Sequence, residues 1–347
     1  MNPLTEPLAN SPELFPHGLD ARTDSVSLIR LTEADYAKAS FLDGRILGPG
    51  VMSRAAAFPE IARAVEEGGL AERADFIFHI GHVGSTLLGR LLGRHPALLS
   101  LREPDILRTL ARIRAEPEAL PRPWSADDFE THLATFLKLW SRSFRPKQRV
   151  LIKATSFASE LAAEILRRPS QPKAIFMFVS PENYLATILG AEHSPKEAQM
   201  LADFRGKRLQ NRIGSALHPI TSIGALVAMS WASEMCALAA ARDSSDRILW
   251  LDFDRFLADP APSLSTCFDH LGASASAEQI AQILSGPDMR TYSKAQEHGY
   301  DAKLRSDVLN QARQMFGEEI RRGLDWLAEM AAKHPVVRAA INMGQTS

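Results

Sequence analysis

The strongest constraint on this chain is a repeated pattern in which a short apolar run precedes a helical stretch. Residues 75–80 (DFIFHI), 98–101, 149–153 (RVLIK), 173–179 (KAIFMFV) and 247–252 (RILWLD) are the apolar runs. Runs this short and this uniformly apolar are strands covered on both faces, as in parallel sheets. Between them lie helical patterns at 86–94, about 127–142, 157–168, 181–190, a basic stretch to about 212 and an apolar one to about 241. Strands alternating with helices predict one α/β domain with a five-stranded parallel sheet covered by helices on both faces. We place this core at 71–275. It is preceded by an N-terminal arm and helices at 1–70 and followed by a helical extension at 276–347 packed on the core. Residues 1–22 read as a mobile or surface-draped arm and 31–70 as mostly helical. No fixed-period repeat is present.

Composition removes several classes. Lys and Arg number 40 against 41 Asp and Glu, a formal net charge of −1. A coat for nucleic acid needs a basic excess, so no nucleic-acid partner is expected. The two cysteines, Cys236 and Cys267, exclude a disulfide framework and suit a reducing, cytoplasmic setting. The first twenty residues lack the apolar segment of a secretory signal. Residues 213–233 carry no charge, but His218, Pro219 and several hydroxyl residues interrupt them. We expect a buried core helix there and no membrane span.

The chemistry concentrates where the first strand ends. Gly81, His82, Val83, Gly84, Ser85, Thr86 and Leu87 join that strand to a helix. A glycine-bearing turn at a helix N-terminus gathers free N–H groups and the positive end of the dipole, which suits a phosphate. The alternative is a tight turn with a helix cap. An ATPase loop needs a Lys before its Ser or Thr, and Ser85 occupies that place.

The stretch FHIGHVGSTLLGRLLGRHPALLSLREP resembles the 5′-phosphosulfate loop of sulfotransferases that use 3′-phosphoadenosine 5′-phosphosulfate (PAPS). The protein-tyrosine and heparan-type branch is the most similar, because its catalytic Glu follows the second strand, here Glu103. LIKATSFASELAAEIL and LDFDRFLADPAPSLSTCFDHLG resemble later segments of the same family. The resemblance implies a three-layer P-loop fold, PAPS as donor, its 3′-phosphoadenosine 5′-phosphate (PAP) as product, and no metal. It implies a small-molecule or peptide acceptor bearing a hydroxyl or amine. Neither the acceptor nor the oligomeric state follows from it. Two positions depart from the family. His82 replaces the loop Lys or Arg, and Val179 replaces the Arg that binds the 3′-phosphate, with Thr187 at the place of the family Ser.

Under that resemblance Glu103 is the general base, or else a first-turn helix Glu. Lys153 stabilises transition-state charge, or is a solvated strand end. His82 donates to the transferred group, or holds a structural hydrogen bond; a further reading pairs it with His79 around a metal. Arg205, Arg208 and Arg212 share one helix face and either replace the missing 3′-phosphate Arg or form a solvated charged face. The polar segment from Tyr292 through Lys294 and His298 to Tyr300, with Arg305, could close over a nucleotide. Asp252, ending the last strand, could imitate the metal-binding Asp of an ATPase. Two other functions stay open: an Mg·ATP phosphotransferase, and a non-catalytic nucleotide-binding relative.

Overall fold

The computed structural model describes residues 4–120, 123–289, 291–292, 295–299 and 302–344. The N-terminal region corrects the sequence reading. Helix α1 (Thr5–Asn10) leads into an antiparallel sheet of β1 (Leu14–Asp20), β2 (Ser25–Arg30) and β3 (Ser53–Ala57), with β2 in the middle. Helices α2 (Glu33–Lys38) and α3 (Phe58–Glu67) complete it. The sheet was hidden because β1 contains Pro16 and Gly18 and β3 is Ser-Arg-Ala-Ala-Ala. Proline is tolerated here because β1 is an edge strand, and its register shifts between Pro16 and Gly18. Residues 4–20 are held rather than draped. The buried Arg142 guanidinium donates to the carbonyls of Leu8, Ser11 and Leu14 at 2.7–2.9 Å, and Tyr36 donates to the carbonyl of Pro12 at 2.7 Å.

The core is the expected α/β unit. Strands β4 (Asp75–His79), β5 (Leu98–Arg102), β6 (Arg149–Lys153), β7 (Ala174–Phe178) and β8 (Ile248–Asp252) form one parallel sheet in the order β5-β6-β4-β7-β8. Every residue of β4, β5 and β7 is buried. Successive side chains point to opposite faces, so both faces are covered. The helices of this part of the chain are α4 (Ser85–Gly93), α5 (Asp105–Ala115), α6 (Ala126–Trp140), α7 (Ala162–Leu166), α8 (Pro181–Leu189), α9 (Ser194–Met200), α10 (Ala202–Ile213), α11 (Ile223–Ala241), α12 (Phe253–Ala258), α13 (Pro260–Leu271) and α14 (Ala277–Ser285). The helix expected over 157–168 is a 3-10 turn, Ser156–Leu161, continued by α7.

Helix α11 is apolar and long enough to cross a membrane, yet 78% of its most apolar window is buried inside the protein. It packs against α8, α10, α15 (Ala302–Lys333) and α16 (Pro335–Met343). The α11–α15 crossing is backbone against backbone. A Cβ on Gly224 would lie 1.8 Å from the Glu319 carbonyl oxygen.

The strand order decides where a ligand can sit. From central β4 the chain first adds β5 and β6 on one side, then β7 and β8 on the other. Loops leaving the carboxyl ends therefore part in opposite directions beside β4, opening a crevice there.

Candidate active site

A cavity of about 530 Å³ occupies that crevice. Its floor is the turn between β4 and α4. Gly81 (φ 88°), His82 (φ 55°) and Gly84 (φ 64°) are all left-handed, so the turn is tight and glycine-dependent. A Cβ on Gly84 would lie 1.9 Å from the Phe253 ring, which closes the turn from α12. The first N–H groups of α4 have no partner inside the helix, and Ser85, Thr86 and Leu87 line the cavity. Thr86 Oγ1 is buried with no hydrogen bond among the described residues. A buried orphan hydroxyl beside free helix N–H groups fits an oxyanion.

His79 braces this turn. Its Nδ1 accepts from the Gly81 N–H at 2.9 Å and its Nε2 faces the Ala154 carbonyl at 2.9 Å. The carbonyl is only an acceptor, so Nε2 carries the proton and the ring is neutral. Both nitrogens are committed, which rules out a metal role for His79 in this state. Among the described residues no group of three or more His, Cys, Asp or Glu is placed to hold a metal.

The wall beside β5 and β6 brings distant residues together. Glu103 follows β5 directly, and its N–H donates to the Lys153 carbonyl at 2.7 Å, prolonging the ladder by one bond. Their side chains then meet as an ion pair, Lys153 Nζ to Glu103 Oε1. Lys153 is fully buried, so it is no solvated strand end. Glu103 adopts φ 55°, an uncommon conformation for a non-glycine residue, and with His82 it is one of the few described residues that do so.

The N-terminal region contributes to the same wall. Phe41, Asp43 and Arg45 line the cavity. Arg45 Nε donates to Asp43 at 2.8 and 3.1 Å, its guanidinium lies 3.4 Å from the Phe41 ring centre, and Nη2 stands 3.9 Å from Glu103 Oε2. Burial pushes the Asp43 carboxyl upward, but the Arg45 bonds and charge outweigh it and hold the group below the usual range. No sequence signal marked these residues, because only tertiary packing carries them to the site.

The remaining walls come from α8 to α10 and from α15. Thr187 lines the cavity, its hydroxyl donating to the Asn183 carbonyl at 2.6 Å. Val179 is fully buried, its carbonyl accepting from Trp231 Nε1 at 3.2 Å. Arg205 reaches the cavity, but Arg208 does not line it. Neither belongs to a solvated face. Arg205 Nε donates to buried Glu234 at 3.1 Å, and Arg208 bonds both Glu234 and Glu160 at 2.9–3.2 Å. Arg212 donates to Glu160 at 2.9 Å. These partners lie on other elements, so the linear pattern could not show that the stripe faces inward.

Glu197 on α9 and Arg305 on α15 also line the cavity. Arg305 Nε donates to Asp254 at 2.6 Å, and the guanidinium carbon lies 4.8 Å from the Phe253 ring centre. Asp252 caps α12, accepting from the N–H groups of Asp254 and Arg255 at 2.7 and 3.2 Å. That capping accounts for it without a metal. Of the late polar segment, Ser293, Lys294 and Tyr300 lie outside the described residues. Thr291–Tyr292 and Ala295–Gly299 pair as short antiparallel strands.

No protein-family model and no curated protein matches the chain. Solved structures do align with it. The sulfotransferase domain from the curacin biosynthetic pathway is 15% identical, with 72% of this chain and 98% of that one covered and a TM-score of 0.39. A mouse sulfotransferase complexed with PAP is 13% identical, with 82% and 94% covered and a TM-score of 0.40. A sulfotransferase from Alicyclobacillus acidocaldarius is 14% identical, with 78% and 97% covered and a TM-score of 0.36.

Proposed function

We propose that the chain transfers a sulfuryl group from PAPS to a hydroxyl or amine on a small-molecule or peptide acceptor. The observation that carries this reading is the Glu103–Lys153 pair, fifty positions apart, on the wall of the cavity floored by the turn at 81–87. PAPS supplies a sulfuryl group on a phosphate leaving group. Gly84, the N–H groups at the start of α4 and the orphan Thr86 hydroxyl suit its 5′ end.

In this reading Glu103 takes the acceptor proton through Oε2 as the acceptor bonds to sulfur. The bond from sulfur to the bridging oxygen breaks, and its electrons leave on the 5′-phosphate. Lys153 and His82 offset the charge that develops on the sulfuryl and bridging oxygens. With Val179 buried, recognition of the 3′-phosphate falls to other groups on the wall, and Arg205 and Arg305 bring guanidinium groups there. No Lys stands in the loop to reach a γ-phosphate, which disfavours phosphotransfer from ATP.

Calorimetry and thermal shift with PAP, PAPS and Mg·ATP test the reading. PAP and PAPS should bind without metal, and stabilisation by Mg·ATP alone would overturn it. With radiolabelled PAPS and a panel of acceptors, Glu103→Gln should keep PAP affinity but lower transfer by roughly 10²–10⁴-fold. Arg305→Ala should weaken PAP far more than adenosine 5′-phosphosulfate; equal weakening would remove the 3′-phosphate role.

A further inference from the structure

His82 stands where the resembling loops carry Lys or Arg, so a permanent charge is missing from the turn. Imidazole supplies that charge only when protonated, and an unperturbed histidine is mostly neutral at pH 7 and above. A carboxylate faces it. Glu197 on α9 places Oε2 3.8 Å from His82 Nε2, with the imidazole mostly enclosed at 19% exposure. Both residues line the cavity. The backbone at His82 is left-handed, with φ 55°.

Other charged groups on the walls partly cancel one another. Lys153 is paired with Glu103, Arg45 with Asp43, Arg205 with Glu234 and Arg305 with Asp254. Arg108 on α5 is exposed to solvent, where water screens it. The field of Glu197 also reaches Arg45 and Arg205. Glu197 is itself 60% exposed, and its carboxylate meets the turn at His82.

We propose that Glu197 is a positioning residue that keeps His82 protonated, so that a titratable cation takes the place of a fixed one and nucleotide capture becomes pH-dependent. The proposal rests on the turn at 81–87 being the nucleotide's 5′ site.

The first arm of the test needs no nucleotide. The full chain, labelled at its histidine rings, is titrated by NMR, and the His82 signal is assigned by its loss in His82→Gln. The midpoint should fall by about half a pH unit or more in Glu197→Gln and stay in place in Glu192→Gln, an exposed neighbour. A midpoint unmoved by Glu197→Gln, or moved equally by both changes, overturns the proposal. The second arm is PAP affinity by calorimetry from about pH 6 to about pH 9. Affinity should fall about tenfold as His82 deprotonates, fall at lower pH in Glu197→Gln, and stay level in His82→Lys. A decline that persists in His82→Lys overturns the proposal. If no variant binds PAP at any pH, the sulfuryl-transfer reading fails while the first arm still decides the pair.

Discussion

At the residue scale the turn at 81–87 rests on backbone conformations that side chains disfavour. Gly84 is the sharpest case. It combines φ 64° with a ring edge 1.9 Å from where a Cβ would stand. Gly84→Ala should therefore destabilise the chain by about 2–4 kcal/mol, from overpacking plus the left-handed penalty. A urea titration would read this as a lower midpoint, and PAP binding should be lost together with it. Gly81 has room for a side chain, with Ser156 no closer than 3.5 Å, so Gly81→Ala should cost only the backbone term of about 1 kcal/mol. The motif was legible in sequence because such turns need glycines at set places. The brace from His79 was not, since it depends on the Ala154 carbonyl just beyond β6.

At the scale of elements, α10 is held to α11 and to the 3-10 turn at Ser156–Leu161 by Arg205, Arg208 and Arg212 against Glu234 and Glu160. Glu234 is fully buried. Arg208→Ala leaves Glu234 with Arg205 alone and Glu160 with Arg212 alone, so by chemical denaturation it should cost less than the about 3–5 kcal/mol of a wholly unpaired buried charge. Burial pushes the Glu160 carboxyl upward, but the charges and bonds of Arg208 and Arg212 outweigh it, and its pKa lies below the ordinary 4.5. A carboxylate lowered on folding adds stability that is complete above the unfolded value and is lost as pH falls through the folded one. The urea midpoint should therefore drop below about pH 4.5, and drop less in Arg212→Gln because a smaller shift remains to be lost. The helix-face spacing of these arginines was visible in sequence. Whether that face met solvent, ligand or acids was not, because the acids come from other elements.

At the scale of the whole molecule, charge and core tell a similar story. Residues 138–214 hold 14 Lys and Arg against 6 Asp and Glu. Much of that excess is neutralised by acids from elsewhere: Arg149 pairs with Asp75, Arg168 with Glu72 and Glu130, and Lys153 with Glu103. Arg142 is satisfied by carbonyls alone, and burial pushes its pKa down to about 10. A broad positive field is therefore a poor description; the charge that matters is local to the cavity. Burial likewise pushes both thiols, Cys236 and Cys267, up to about 12. Iodoacetamide should leave both unmodified in the native chain and label both in urea, as read by intact mass.

Some of this protein was determined by local pattern alone. Five apolar runs alternating with helices specify a parallel sheet, because strands covered on both faces need uniformly apolar residues. A glycine-bearing turn before a helix specifies a tight turn that opens on free helix N–H groups, on which the proposed 5′ site rests, because the backbone geometry is local. The N-terminal sheet was settled only by tertiary pairing, since Pro16, Gly18 and an alanine run have little strand preference of their own. The same holds for the contents of the cavity wall. Glu103 and Lys153 touch because two parallel strands lie side by side, and Arg45, Glu197 and Arg305 arrive from segments far apart in the chain. Charge partners depend on three-dimensional proximity, which sequence spacing encodes only within one helix or strand.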